Sequence, residues 1–144
     1  PLATRWEYDA LQIFIDEDKS GGLSAGNNNA WSYYISPNGY IVDYNSTNSR
    51  LVNGHLDVTR VTDKGNHLWE MRIRIYGDDY DFDSPSNIPR VLTAGKLMGF
   101  SVGYSDNDGT SQAKTVYGSV STSGHRTDLG WRDASVLGSL LLVE

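Results

Sequence analysis

The chain of 144 residues contains no cysteine, which excludes disulfide staples, thiolate metal sites and thiol nucleophiles and leaves the redox compartment to other arguments. Basic residues are in the minority, with 12 Lys+Arg against 18 Asp+Glu and a formal net charge of −6 at pH 7. That balance argues against a counterion-release grip on nucleic acid and against docking on an anionic membrane, so neither is expected as a partner. No stretch approaches the ~20 apolar residues that a membrane-spanning helix needs. Windows rich in Ala, Leu and Glu are also scarce, which points away from helices. What remains, 38% hydrophobic and 21% charged residues, is too apolar for a disordered chain and long enough for one domain around one core, spanning residues 1–144. The chain opens on Pro1, and no basic and apolar signal segment precedes its first motif; residues upstream are therefore expected.

Aromatics and glycine are plentiful: 4 Trp, 9 Tyr, 3 Phe and 15 Gly. With short alternating runs they predict an all-β, antiparallel β-sandwich of the jelly-roll kind. Leu11, Ile13 and Ile15 alternate with Gln12 and Phe14 up to the acidic turn Asp16-Glu17-Asp18, as a strand entering a loop would. Trp31 to Ser36 and Tyr40 to Tyr44 flank Pro37-Asn38-Gly39, where Asn-Gly supplies the positive φ of a tight hairpin. A second hairpin is read at Asp63-Lys64-Gly65-Asn66, because Trp69, Met71, Ile73 and Ile75 alternate with Glu70, Arg72 and Arg74. Met98, Phe100, Val102 and Tyr104 repeat the period of two, and the apolar run Val136 to Val143 closes the chain. Gly77 to Pro89, with Asp78, Asp79, Asp81 and Asp83, reads as a loop between strands, either solvated or cation-binding.

His55, His67 and His125 stand without an HExxH, an i,i+4 pair or a GxSxG elbow, so no triad is indicated. Loop acids such as Asp16, Asp18, Asp106 and Asp108 put like charges side by side. That suits an oxygen-liganded calcium ion better than one raised-pKa acid in an apolar pocket. Asp16-Glu17-Asp18-Lys19-Ser20-Gly21 opens like an EF-type loop, but the twelfth position is Asn27 rather than Glu and a strand leads in. A calcium loop of another geometry and a plain solvated turn both fit. Trp69 shares its parity with Met71, Ile73 and Ile75 and is expected in the core. Trp6 and Trp131 instead lie among polar neighbours, as either ligand contacts or rim packing.

Trp6-Glu7-Tyr8-Asp9-Ala10-Leu11-Gln12-Ile13-Phe14-Ile15-Asp16 resembles the W-x-x-D-x-hydrophobic-E-I-F-I-D signature of family 9 carbohydrate-binding modules. Trp131-Arg132-Asp133-Ala134-Ser135-Val136-Leu137-Gly138-Ser139-Leu140 is similar to that family's closing W-x-D-P-S-x-F-G-x-L motif. His67 to Ile73 and Gly95 to Asp108 match its middle segments more loosely. The resemblance implies a β-sandwich, structural calcium, and recognition of a sugar at the end of a glucan or xylan chain between two tryptophans. Trp6 and Trp131 would be the walls. The polar contacts depart from the family's: its acid is Gln12 here, its arginine and asparagine strand appears as Ser32, Tyr34 and Ser36, and its asparagine before the closing Trp is Asp128. Stacking is kept while hydrogen bonding changes, which leaves open a different saccharide or a vestigial site. Family members carry strands ahead of the first motif, so an upstream segment, covalent or associated, is expected.

The resulting expectation is a non-catalytic sugar-binding module, secreted, at the cell surface or periplasmic, appended to a polysaccharide-processing protein. Two rivals stand beside it. One is a haem-binding electron-transfer sandwich with Met71 or Met98 and His125 on iron; the other is a small polysaccharide-degrading domain using a pair of loop acids.

Overall fold

The structure is a computed structural model that describes residues 8–24, 27–44, 49–107, 109 and 129–144, with 115–118 as backbone. Among these, nine strands form: β1 (Ala10–Asp16), β2 (Ala30–Ile35), β3 (Ile41–Tyr44), β4 (Ser49–Leu51), β5 (Leu56–Asp63), β6 (Asn66–Ile73), β7 (Leu97–Asp106), β8 (Thr115–Gly118) and β9 (Gly138–Leu141). A 3-10 turn, Ala134–Val136, precedes β9. Seven strands make one sheet in the order β4-β3-β2-β1-β7-β8, with β9 also on β7, and β5 and β6 make a separate ribbon. The pairings within both are antiparallel, as the alternating patterns predict.

The hairpins form where the turn residues demand them. At the ribbon tip Lys64 (φ 49) and Gly65 (φ 82) both take left-handed backbone, the requirement of a two-residue hairpin turn that matches strand twist. At residues 36–40 only Gly39 (φ 82) does so. There Ser36 C=O accepts from Gly39 N–H at 2.9 Å, and Tyr40 C=O from Ser36 N–H at 2.9 Å. This is the longer loop in which Pro37 sets an ordinary turn and one glycine supplies the kink, so Asn38 needs no positive φ.

Strand β1 lies inside the sheet and is buried at every position. Its odd residues Leu11, Ile13 and Ile15 join Trp31, Tyr33 and Ile35 of β2 in the main core, which Val58, Trp69, Met71 and Ile73 of the ribbon help to cover. Trp69 is thus structural, as its parity predicts. Its even residues face the other way, Phe14 packing with Ala134, Val136 and Leu137. On β7 the expected parity holds but the depth is reversed: Gly99, Ser101, Gly103 and Ser105 are buried, whereas Phe100, Val102 and Tyr104 are only half-buried. Small residues let neighbouring structure approach closely, while the apolar face meets a ribbon of only two strands.

The long loop after β6 divides its residues by chemistry. Asp78, Asp79, Asp81 and Asp83 are exposed, matching a solvated loop, but Tyr76, Tyr80 and Phe82 pack on the core around Trp31. Ring centroids lie 4.8 Å from Trp31 for Tyr80 and 5.9 Å for Phe82, and the indole N–H donates to Tyr76 C=O at 3.2 Å. Buried His55 links the two layers, with Nδ1 3.1 Å from the Tyr33 hydroxyl and Nε2 2.9 Å from the Tyr80 hydroxyl. Burial first, and the charge of Arg74 second, lower its pKa to about 4.

Because the unfolded chain protonates His55 near 6.5 and the folded one near 4, this residue's stabilisation is complete above the unfolded value. It is lost as pH falls toward the folded value, by up to about 3 kcal/mol. Urea denaturation from pH 7 to pH 4 is expected to show this loss in the wild type and a shallower slope in His55→Gln.

Candidate functional site

The outer face of the large sheet, opposite the ribbon, collects the residues singled out in the sequence. Gln12 and Tyr34 are register partners across β1 and β2, so they share this face. Both are nearly sealed, at 3% and 5% exposure. The Gln12 amide donates to the Ser105 hydroxyl, and the Tyr34 ring meets Phe14 edge-on at 6.4 Å. Trp131 stands over the same face, half-buried. Trp6 and Asp128 lie outside the described residues.

Trp131 belongs to a loop, and the loop is fastened at several points. Leu129 C=O accepts from the N–H groups of Arg132 and Asp133, both at 3.0 Å, and Arg132 C=O accepts from Ser24 N–H at 2.9 Å. Asp133 caps the 3-10 turn by accepting from Ser135 N–H at 2.9 Å. The Ser32 hydroxyl donates to Trp131 C=O at 3.4 Å. Gly130 makes this seating possible, since a Cβ there would lie 3.1 Å from the Phe14 ring. The indole stacks on Tyr44 with centroids 5.6 Å apart and planes 26° apart, and the exposed Arg132 guanidinium lies 6.0 Å from its centroid. The face below the indole mixes apolar residues, Phe14, Tyr34 and Val42, with the polar Gln12 and Ser32, and an aromatic platform there offers an apolar surface near hydrogen-bonding groups.

The acids expected at a metal do not form one group. Asp16 pairs with Gly99 at one end of the β1–β7 ladder, whereas Asp106 lies one step past the Ala10 to Ser105 pair at the other. Seven strand residues separate the ends by roughly 20 Å. Asp108 lies outside the described residues. Asp16 is fully buried; its Oδ2 accepts from Gly21 N–H at 2.7 Å, and its Oδ1 has no partner. Burial, with Asp18 alongside, raises its pKa, while the hydrogen bond from Ser20 lowers that of Asp18. Asn29 next to β2 also buries an unpartnered Oδ1, and its C=O accepts from Glu17 N–H at 2.9 Å. Among the described residues no cluster of three His, Cys, Asp or Glu could hold a metal. Asp16 and Asn29 nevertheless present orphaned, all-oxygen donors of the type a hard cation takes.

Nothing among the described residues favours the haem or polysaccharide-degrading readings. Met98 is core, Met71 packs against it, and His125 lies outside the described residues. Sequence reasoning missed Tyr44, Arg132 and Asn29. Tyr44 was within reach, because it continues the parity of Tyr34 and Val42 across a recognised hairpin.

An antiparallel β-sandwich with an indole platform on its outer face defines the class. Residues 2–144 match the family model described as carbohydrate family 9 binding domain-like, and the chain belongs to that family. A carbohydrate binding module family 9 from Caldicellulosiruptor kristjanssonii in complex with cellotriose is similar in structure, with TM-score 0.70, 16% identity, and coverage of 98% of this chain and 60% of that one. A module of that description from the same organism, in complex with glucose, has TM-score 0.68, 15% identity, and coverage of 96% and 61%. The chain therefore spans about three-fifths of the length of those modules. No curated protein sequence matches it.

A Cβ at Gly99 would lie 2.8 Å from Asp16 Cβ and 3.4 Å from Leu137 Cβ. Gly99→Ala is accordingly expected to destabilise the fold by roughly 1–3 kcal/mol, as overpacking does, which thermal unfolding would register as a lower Tm.

Proposed function

We propose that this chain is a non-catalytic carbohydrate-binding module that holds the terminal sugar of an oligosaccharide or polysaccharide. Trp131 is one wall of the site and Trp6 the other. The observation that carries the reading is the half-buried Trp131 indole fastened over the outer face of the large sheet, in a chain of the carbohydrate family 9 binding domain-like family. A pyranose has a C–H face that stacks on an indole and equatorial hydroxyls that reach sideways to polar groups. Gln12, Tyr34 and Asp128 are the positions that shape the polar side, and Arg132 beside the indole adds a flexible donor. The similar modules solved with cellotriose and glucose make β-glucan fragments the first ligands to try. In this reading the module is an appendage of a polysaccharide-processing parent protein, and a polymeric ligand favours a secreted, cell-surface or periplasmic location.

Calcium is the cofactor of this reading. Asp16 would hold it with Asn29 and Asp18, and Asp106 with Asp108 would form a separate site at the far end of β1. Bound there, the ion would supply positive charge to the buried Asp16 carboxylate.

Two measurements check these assignments. Calorimetric titration of the complete protein with cellotriose and glucose is expected to show binding that Trp131→Ala or Trp6→Ala weakens about ten-fold or more, with Tm close to wild type. A large loss of Tm with affinity untouched in the folded fraction would reassign the rings to rim packing. For the metal, Asp16→Asn removes a charge that burial disfavours, so in chelator its Tm should equal or exceed that of wild type. In millimolar calcium the order should reverse, because only the wild type gains stability by binding. A Tm indifferent to calcium in the wild type defeats the assignment.

A further inference from the structure

We propose that Tyr44 is the positioning residue for the Trp131 indole, and that it leaves the indole face turned away from β3 as the one that takes the ligand. This rests on the reading of Trp131 as a sugar platform. Hydrogen bonds from Ser32 and Ser24 fix the backbone around Trp131, yet a fixed backbone leaves the two side-chain torsions of an indole to be set by packing. The ring plane has to be set, because stacking on a sugar needs a flat surface at a defined tilt. Tyr44 provides that setting.

Tyr44 ends β3, a strand bonded to β2 on one side and β4 on the other, so its Cα is held by the sheet. It lies one register step from the Tyr33 to Asp43 pair, which puts it across from Ser32, the residue that also bonds the Trp131 carbonyl. One pair of adjacent sheet positions thus grips both the backbone and the ring of the platform. Centroids at 5.6 Å and planes at 26° are the offset stack that aromatic pairs prefer. A ring stacked on one face of the indole excludes a sugar from that face. Arg132 cannot do the same work: its guanidinium is 6.0 Å from the centroid, the outer limit of a cation–π contact, and it sits on an exposed, flexible stem. Tyr44 itself is half-buried and lies outside the main core, so removing its ring should disturb the platform more than the fold.

The test uses the complete protein labelled with 5-fluorotryptophan, whose Trp131 resonance is assigned by its disappearance in Trp131→Phe. Tyr44→Ala is expected to shift or broaden that resonance before any sugar is added. It should also weaken cellotriose binding by roughly three- to ten-fold, the scale of one aromatic contact, while Tm stays near wild type. Tyr44→Phe, which keeps the ring, should restore both. Should Tyr44→Ala melt early, Tyr44→Leu keeps apolar volume without a flat face and is judged the same way. A Trp131 resonance that ignores the loss of the Tyr44 ring overturns the proposal, as does one that moves while affinity is retained. Failure of the platform reading looks different: in the unsubstituted protein, cellotriose would bind without moving the Trp131 resonance.

Discussion

Strand β1 has two buried faces, and the rest of the molecule is arranged around that constraint. Leu11, Ile13 and Ile15 enter the main core, and Phe14 enters a second cluster on the opposite side. A slip of one residue would exchange the faces completely, burying Gln12 and Asp16 among Trp31, Tyr33 and Ile35. Polar groups buried without partners cost several kcal/mol, of order 2–7 on transfer scales. On the outer face Gln12 finds Ser105 and Asp16 finds Gly21. The register that builds the core is therefore also the one that gives Gln12 a partner and Asp16 a partner for one of its two oxygens. It puts Gln12 beside Tyr34 and brings Asp16 against Gly99, where no larger residue fits.

The inner layer is thin by comparison, since a two-stranded ribbon covers little area by itself. The loop after β6 supplies the missing cover through its aromatics. Tyr76, Tyr80 and Phe82 reach down to Trp31 while the aspartates between them remain in water, so the segment resolves into an apolar lid with a charged rim. His55 holds this lid to the sheet through two tyrosine hydroxyls. It can do so only as a neutral ring, because a proton there would be buried near Arg74.

Short-range chemistry was legible in the sequence, and long-range placement was legible only in part. Pro37-Asn38-Gly39 and Lys64-Gly65 announce turns because backbone conformation at those residues is a local matter, and the period of two in β1, β6 and β7 announces strands. Parity alone places Gln12 and Tyr34 on one face once their strands pair. Depth is different. Nothing in Phe100 to Tyr104 reveals that the serine and glycine face is there the more deeply buried one, because burial depends on what the rest of the chain lays over it. Asp16 and Asp106 look alike in sequence, as acids at strand ends, but antiparallel pairing carries them to opposite ends of β1. The stack of Tyr44 on Trp131 joins residues 87 positions apart in sequence, with no local pattern to announce it.

That stack bears on how a sheet face can hold a sugar. Stacking rewards any pyranose with a clean C–H face, so it supplies affinity with little discrimination, and specificity must come from polar groups that would be left unpaired by the wrong sugar. Among the described residues the polar side chains of the outer face are largely committed already: Gln12 to the Ser105 hydroxyl and Ser32 to the Trp131 carbonyl. Groups so engaged are rigid, and rigidity favours a preorganised platform over an adaptable one. The exposed donor beside the indole is Arg132, which stands on the platform's own loop rather than on the sheet. A division of labour follows, in which the sheet, through Ser32 and Tyr44, fixes where a ring can stack, and the loop around Trp131 carries the groups that can change without disturbing the core. If the proposed platform holds a sugar, variation in preference should therefore concentrate in that loop, while Phe14, Gly130 and Tyr44, which seat it, are constrained by packing geometry.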